Sequence, residues 1–461
     1  MQSSIQTPPA QIRHLRGLVS GEVIVSGDPG YDEARSVYYS GLVTQPAAIV
    51  RPRDARDVSR VVSYARESGA PLAVRSGGHS PAGHSGVDDG IVLDLSSLNS
   101  IEVSVKDRTA WADAGMTAGA LTRATGAHGL VVGFGDTASV GIGGITLGGG
   151  IGFLHRKLGL TIDSVLGAEI VTADGKVRRI DAESEPDLFW AIRGGGGNFG
   201  VVTRIHYRLH EVGEAVAGMI ALPANPRAIV DALEALQAAS EDLSGFLNVM
   251  LAPPMPFLPA EVHGKPIISA LLVNVGDADA GARALAPLRA IATPVLDQFR
   301  SIPYSQVYEG GPEPPSPAAR VASTCFFTDE VDLAAAEAIL EALPRSRAPM
   351  RVAHFRVMGG AVARVPADAT AFAHRNRAIM VLTGAMYGDP AEEGEHQQWT
   401  KELADHLRKG ERGAYIGFMG SEGEARVRDA YPDGTWERLR AIKARFDPTN
   451  LFRRNQNVPP A

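Results

Sequence analysis

At 461 residues the chain is longer than one compact core serves, and it suits two domains of ordinary size. Hydrophobic residues make up 44% and charged residues 21%; the net charge of -7 gathers in no block, which argues against nucleic acid as a partner. A single cysteine, Cys325, rules out a disulfide framework and a thiol metal site, and no apolar run is long enough to cross a bilayer.

The polar N-terminus, residues 1–20, has no apolar run, so no signal peptide and a cytoplasmic location are expected. Residues 48–50 read as a strand. Asp54 then caps a helix whose apolar face is Val58, Val61, Val62 and Ala65, and Gly69 ends it. Residues 72–74 and 91–93 are further strands around a Gly/His/Ser loop, and 118–128 is a helix. After a glycine-rich stretch, 168–172 and 177–181 form a hairpin across Ala173-Asp174-Gly175-Lys176. A short helix near 186–192 and a strand at 201–209 close this half. Near 212 glycine thins out. Longer strands are expected at 246–251, 267–275, 351–357, 379–387 and 415–419. Helices alternate with them, one opening at Asn225-Pro226 and one at 333–343. This half reads as α+β with an antiparallel sheet, and the Gly/Pro-rich 310–317 as a surface loop, with an active-site lid as the alternative.

Four segments carry chemistry. Arg75-Ser76-Gly77-Gly78-His79-Ser80 follows a strand and offers successive free amides to an anion such as a pyrophosphate. It matches neither a P-loop nor a first-strand G-x-G-x-x-G. Gly83, His84 and Ser85 continue this loop and are expected to share its ligand. The second segment, 141–152, has seven glycines in twelve positions. A linker would not intersperse Ile and Leu as this run does. Gly141, Gly143, Gly144, Leu147, Gly148, Gly149 and Gly152 are therefore expected against something flat or charged. The third, 190–203, runs helix, glycine turn, strand, with Asn198, Gly200, Val201 and Val202 suiting a cofactor wall. The fourth is the tail with Asn455, Gln456 and Asn457, which alone is a helix stop and a polar end.

Together these segments resemble the vanillyl-alcohol-oxidase superfamily of FAD proteins, in particular its berberine-bridge-enzyme-like branch and that branch's bacterial members. The resemblance runs from about 41 to 459. It implies an α+β chain: a PCMH-type FAD-binding domain of two α/β subdomains at 1–212 and a substrate domain at 213–421. That domain's antiparallel sheet is covered by helices, and a segment at 422–461 returns to the FAD domain. It also implies one covalent bond from His79 to FAD. A second, cysteinyl bond is not expected, because Thr137, after Asp136, stands where relatives carry the cysteine. Val140 matches the position controlling oxygen access, and a valine there resembles the oxygen-reactive type. An oxidase passing electrons from a small-molecule substrate to O2 follows. Tyr415 matches the tyrosine base of alcohol-oxidising relatives. Other relatives use a carboxylate on the strand after an H-R pair; here His374-Arg375 is followed by Thr383, Gly384 and Ala385, with no acid. His354, Arg356, Thr383 and Tyr387 are expected to line the substrate pocket. An alcohol, a sugar and an amine stay open as substrates. A binding protein that only sequesters its ligand would carry the same cofactor motifs. The sequence is silent on oligomeric state.

Overall fold

Alternating apolar runs and a well-capped helix build the first layer. The computed structural model describes residues 9–39, 41–309, 319–410 and 412–461. The loop read at 310–317 lies outside the described residues, as do the first eight of the polar N-terminus. Strands β1 (Glu22–Ile24), β2 (Ala48–Arg51), β3 (Leu72–Arg75) and β4 (Ile91–Asp94) form a sheet in the order β1-β2-β4-β3. β2 and β3 run parallel to β4. The helix Ala55–Ser68 starts where Asp54 accepts the N–H groups of Arg56 and Asp57, at 2.9 and 3.0 Å. It ends at Gly69, whose φ of 70° suits a residue without Cβ. Val58, Val61, Val62 and Ala65 are fully buried against this sheet and the next.

The second sheet contains β5 (Ile101–Ser104), β6 (Thr109–Asp113), β8 (Val165–Val171), β9 (Val177–Asp181) and β10 (Val201–Arg208), in the order β5-β6-β10-β8-β9. β7 (Leu130–Val131) and β11 (His210–Glu211) make a separate ribbon. The β8–β9 hairpin turns where expected, with Asp174 accepting the Lys176 N–H at 3.1 Å.

Seven antiparallel strands form the third sheet: β12 (Glu214–Pro223), β13 (Leu243–Leu251), β14 (Pro266–Val275), β15 (Leu296–Pro303), β16 (Arg320–Thr328), β17 (Met350–Val357) and β18 (Ile379–Tyr387). Their order is β15-β12-β14-β13-β17-β18-β16. Helices Pro226–Ala238, Leu333–Ala342 and Glu393–Leu407 pack on one face through a shared core. On the other face Cys325, Phe327 and Met380 pack against Ile151, Leu160 and Ile162 of the glycine-rich half. The strand expected at 415–419 is instead a turn, in which the Phe418 N–H bonds the Tyr415 carbonyl at 3.0 Å. Its cause is Gly417, where a Cβ would lie 2.8 Å from the Tyr415 ring, so the chain can double back over that ring.

Buried ions bolt the two halves together. Arg156 aims its guanidinium at the C-terminal end of helix Pro226–Ala238, donating to the carbonyls of Leu236, Ala239 and Leu243 at 2.9, 2.9 and 3.0 Å. The Leu236 carbonyl, in the last turn, has no partner within the helix, and a cation there also meets the negative end of its dipole, while Ala239 is the C-cap and Leu243 opens β13. Arg375, fully buried, makes two bonds of 2.7 and 2.8 Å to Asp163. In the closing helix Asp433–Phe446, Lys443 is sealed from solvent with Asp447 at 2.7 Å and also donates to the carbonyls of Asn198 and Phe452. Removing one member of such a pair strands the other charge. Lys443→Met should therefore cost about 3–5 kcal/mol, read as a lower urea midpoint. An unchanged midpoint would show that the lysine is dispensable.

Candidate active site

Two glycine loops meet backbone to backbone at the base of the site. A Cβ on Gly77 would lie 2.2 Å from the Gly141 nitrogen, and one on Gly141 would lie 2.2 Å from the Gly77 nitrogen. Only paired glycines allow this approach. Ser76 ties the same point to the sheet by donating to the Ala114 carbonyl at 2.6 Å. In front of the loops lies a cavity of about 490 Å³ between the glycine-rich half and the antiparallel sheet.

His79 faces this cavity. Its ring stacks on Tyr38 at 3.9 Å between centroids, and Ser139 Oγ sits 3.1 Å from Nε2. Nδ1 has no partner among the described residues. Burial pushes the imidazole down to about 4, so it is neutral at pH 7 with a lone pair to offer.

Across the cavity a chain of polar bonds runs along β13 and β17. Asn248 Oδ1 pairs with His354 Nδ1 at 2.8 Å, and Arg356 Nε donates to His354 Nε2 at 3.0 Å. Arg356 Nη1 donates to the Ile151 carbonyl at 2.6 Å, and Nη2 pairs with Asp136. The other Asp136 oxygen accepts the Thr137 hydroxyl at 2.9 Å. Burial, then the Arg356 charge, hold His354 down at about 3, hence neutral. The facing rings of Phe246 and Phe418 lie 5.5 and 5.0 Å from the Arg356 guanidinium.

Tyr415 stands on the turn at the end of this wall. Its hydroxyl accepts the Gly150 N–H at 3.1 Å. Burial pushes the phenol up to about 12, opposed by that N–H and by the Arg356 charge. A lowered tyrosine, as a base would want, is not what these surroundings make by themselves. Cys325 is fully buried beside Met380, its sulfur 3.6 Å from that sulfur, and burial pushes the thiol up to about 12.

The tail closes the site. Asn198 is its hub, bonding the carbonyls of Gly195 and Gln456 through Nδ2 and the Val458 N–H through Oδ1. Asn455 bonds the Gly197 carbonyl, Gln456 the Met419 carbonyl, and Arg454 the Gly86 carbonyl.

Most residues singled out in the sequence meet here. Ser76, Gly77, Gly78, His79, Ser80, His84, Ser85, Asp136, Thr137, Val140, Gly141, Gly143, Gly144, Leu147, Gly148, Asn198, Gly200, Val202, Asn455, Gln456, His354, Arg356 and Tyr415 all line the cavity. Others do not. Arg75 is held by Asp94 at 3.0 Å and by the Ala34 and Ser36 carbonyls, as a strut beneath the loop. Gly83 is off the wall, its carbonyl taken by Arg454. Gly149 and Gly152 are packing points, since a Cβ on Gly152 would meet the Phe134 carbonyl at 1.3 Å. Val201 is buried in β10, and Asn457 Oδ1 is buried without a partner among the described residues. Thr383 and Tyr387 face helix Glu393–Leu407 instead. The Thr383 hydroxyl donates to the Thr400 carbonyl at 2.7 Å, and Tyr387 packs on His396. His374 and Arg375 brace the fold, with His374 on the Ala430 carbonyl at 3.0 Å. Tyr38, Ser139, Asn248 and Phe418 were missed. A contact partner in a distant segment leaves no periodic trace in the sequence.

The cavity fits a dinucleotide with a flat ring. A Cβ on Gly144 or Gly197, both on the wall, would meet nothing within 4 Å, so the free space begins at the backbone itself. The Asn455 amide oxygen is buried on the same side, with no partner among the described residues. No helix among the described residues is long and apolar enough to cross a membrane.

This is the layout of a flavin-dependent oxidoreductase, with a glycine-walled cofactor half and an antiparallel sheet facing it. A family model described as FAD binding domain matches residues 46–181, and one described as Berberine and berberine like matches 414–459. The chain is 31% identical to (R)-6-hydroxynicotine oxidase of Paenarthrobacter nicotinovorans, over 100% of this chain and 99% of that protein. An FAD-linked oxidoreductase of Bacillus subtilis is 30% identical over 96% and 97%. The crystal structure of 6-hydroxy-D-nicotine oxidase from Arthrobacter nicotinovorans superposes with a TM-score of 0.86 at 27% identity, covering 96% and 98%. The chain belongs to the berberine-like family of FAD-linked oxidoreductases.

Proposed function

We propose that this enzyme is an oxidase that removes hydride from a carbon bearing a hydroxyl or an amine, with O2 as acceptor and hydrogen peroxide as product. FAD, when bound, supplies the electron acceptor. Residues 1–212 would hold it, residues 213–421 would supply the substrate wall, and 422–461 would close the cofactor half. His79 would tether FAD through Nδ1, since Ser139 engages the other nitrogen. No second bond is proposed: Thr137 is bonded to Asp136, and Cys325 is sealed in the core. Val140 lines the cavity and would leave room for O2. Tyr415 would take the substrate proton.

The observation that carries this reading is one cavity that brings His79, Val140 and Tyr415 together against a glycine wall. A second reading, amine oxidation, is favoured by the Tyr415 phenol held up near 12 and by the lack of an acid on β18. A neutral amine loses hydride with little help from a base. The likeness to (R)-6-hydroxynicotine oxidase points the same way. The test of the oxidase reading is stoichiometry. Substrate that bleaches the flavin without air should, in air, yield about one peroxide per turnover. Turnover with a dye but none with O2 would make the enzyme a dehydrogenase.

A further inference from the structure

The substrate wall can be read as an inventory of charge and of unused hydrogen-bonding groups. Among the described residues, three charged side chains line the cavity: Asp136, Arg356 and Arg454. Arg454 belongs to the tail and bonds the Gly83 and Gly86 carbonyls, on the cofactor side. The substrate sheet contributes only Arg356, and Asp136 cancels it. The guanidinium is 2% exposed, and each of its three nitrogens already has an acceptor. It is therefore poorly placed to receive a carboxylate.

The neutral polar groups on this wall are engaged too. His354 uses both ring nitrogens, and Ser323 donates to the Phe418 carbonyl at 3.2 Å. Tyr415 is different. Its oxygen accepts from Gly150, which leaves the O–H proton free to point elsewhere. Among the described residues, what else faces the cavity from this side with a side chain is apolar and half-buried: Val321, Leu382, Ile416 and Phe418.

From this we infer the substrate class: a neutral, mainly apolar or aromatic molecule with one polar group at its reacting carbon, held by the Tyr415 hydroxyl. A sugar presents a hydroxyl on nearly every carbon. Each one buried against this wall would lose water without gaining a partner. An anion would face a cation that is already neutralised. The class rests on the oxidase reading above and narrows it, setting sugars aside.

The experiment uses the purified flavoprotein and three probes, namely benzyl alcohol, benzoate and cellobiose. Each is titrated while the visible flavin spectrum is followed, so no turnover is needed. The alcohol is expected to perturb the spectrum with a Kd at least tenfold below those of benzoate and cellobiose. Asp136→Asn should then tighten benzoate by tenfold or more, because it releases the Arg356 charge. If that variant does not fold, the wild-type ranking still decides. Tighter binding of benzoate or cellobiose by wild type, or no response to the alcohol, overturns the substrate class. A colourless protein that takes up no FAD overturns the oxidase reading itself, which separates the two failures.

Discussion

Acid-precipitated wild-type protein should keep its yellow colour in the pellet, and His79→Ala should lose all of it to the supernatant. The expectation follows from the state and setting of the ring. Burial drives His79 to about 4, so the imidazole is neutral across the physiological range, and in the tautomer whose Nε2–H donates to Ser139 the Nδ1 lone pair is free. Ser139 occupies Nε2 at 3.1 Å, and Tyr38 stacked at 3.9 Å fixes the ring plane. Alanine removes the nucleophile and leaves the glycine loops intact. His79→Ala should therefore still bind FAD, now reversibly. Losing the tether should also lower oxidising power, and about 30 mV in a two-electron couple corresponds to roughly tenfold in equilibrium. Denaturing gels read by flavin fluorescence check the first claim directly. A variant band as bright as wild type would move the attachment elsewhere. A dark wild-type band would show that FAD is held without a covalent bond.

Much of this site was legible because backbone requirements are written in residue type. Glycine pairs such as Gly77 and Gly141 mark contacts that no side chain allows, and they stand out without any structure. The capped helix at Asp54 and the turn at Asp174 were equally readable, since each signal is local. The turn at 415–419 was not. Its apolar run suits a strand, and only the packing of Gly417 over Tyr415 decides otherwise. Thr383 and Tyr387 failed for a related reason. Alternation along β18 gives two faces, but not which face meets the cavity, and helix Glu393–Leu407 covers theirs. Lys443 and Asp447 did leave a trace, an i,i+4 pair of opposite charge, although the spacing does not reveal that both are buried. The link from Asn248 to Asp136 left none, because its members come from three separate segments.

Tyr415→Phe should separate the two chemistries that the cavity admits. The substitution keeps the ring against Phe372 and Phe418, whose centroids lie 6.2 and 5.3 Å away, so packing is preserved. It removes the oxygen that accepts the Gly150 N–H, and that donor left bare costs about 1–3 kcal/mol of stability. Its effect on rate depends on the substrate. An alcohol must give up its O–H proton as hydride leaves, and losing a positioned base costs about 10²- to 10⁴-fold in kcat. With the phenol raised to about 12 before substrate and cofactor act on it, the reactive tyrosinate is scarce at neutral pH. The wild-type rate on an alcohol should therefore climb about tenfold per pH unit on the acid side of the tyrosine pKa, and Tyr415→Phe should flatten that climb. An amine already carries its lone pair once neutral. Its rate should rise through the amine's own pKa and level off, in wild type and Tyr415→Phe alike, with kcat within about tenfold. A large loss of kcat at unchanged KM identifies the tyrosine as base and the substrate as an alcohol. A shared pH profile with little loss assigns Tyr415 to orientation alone and the enzyme to amines. A flat alcohol profile with an unimpaired variant would remove Tyr415 from the chemistry altogether.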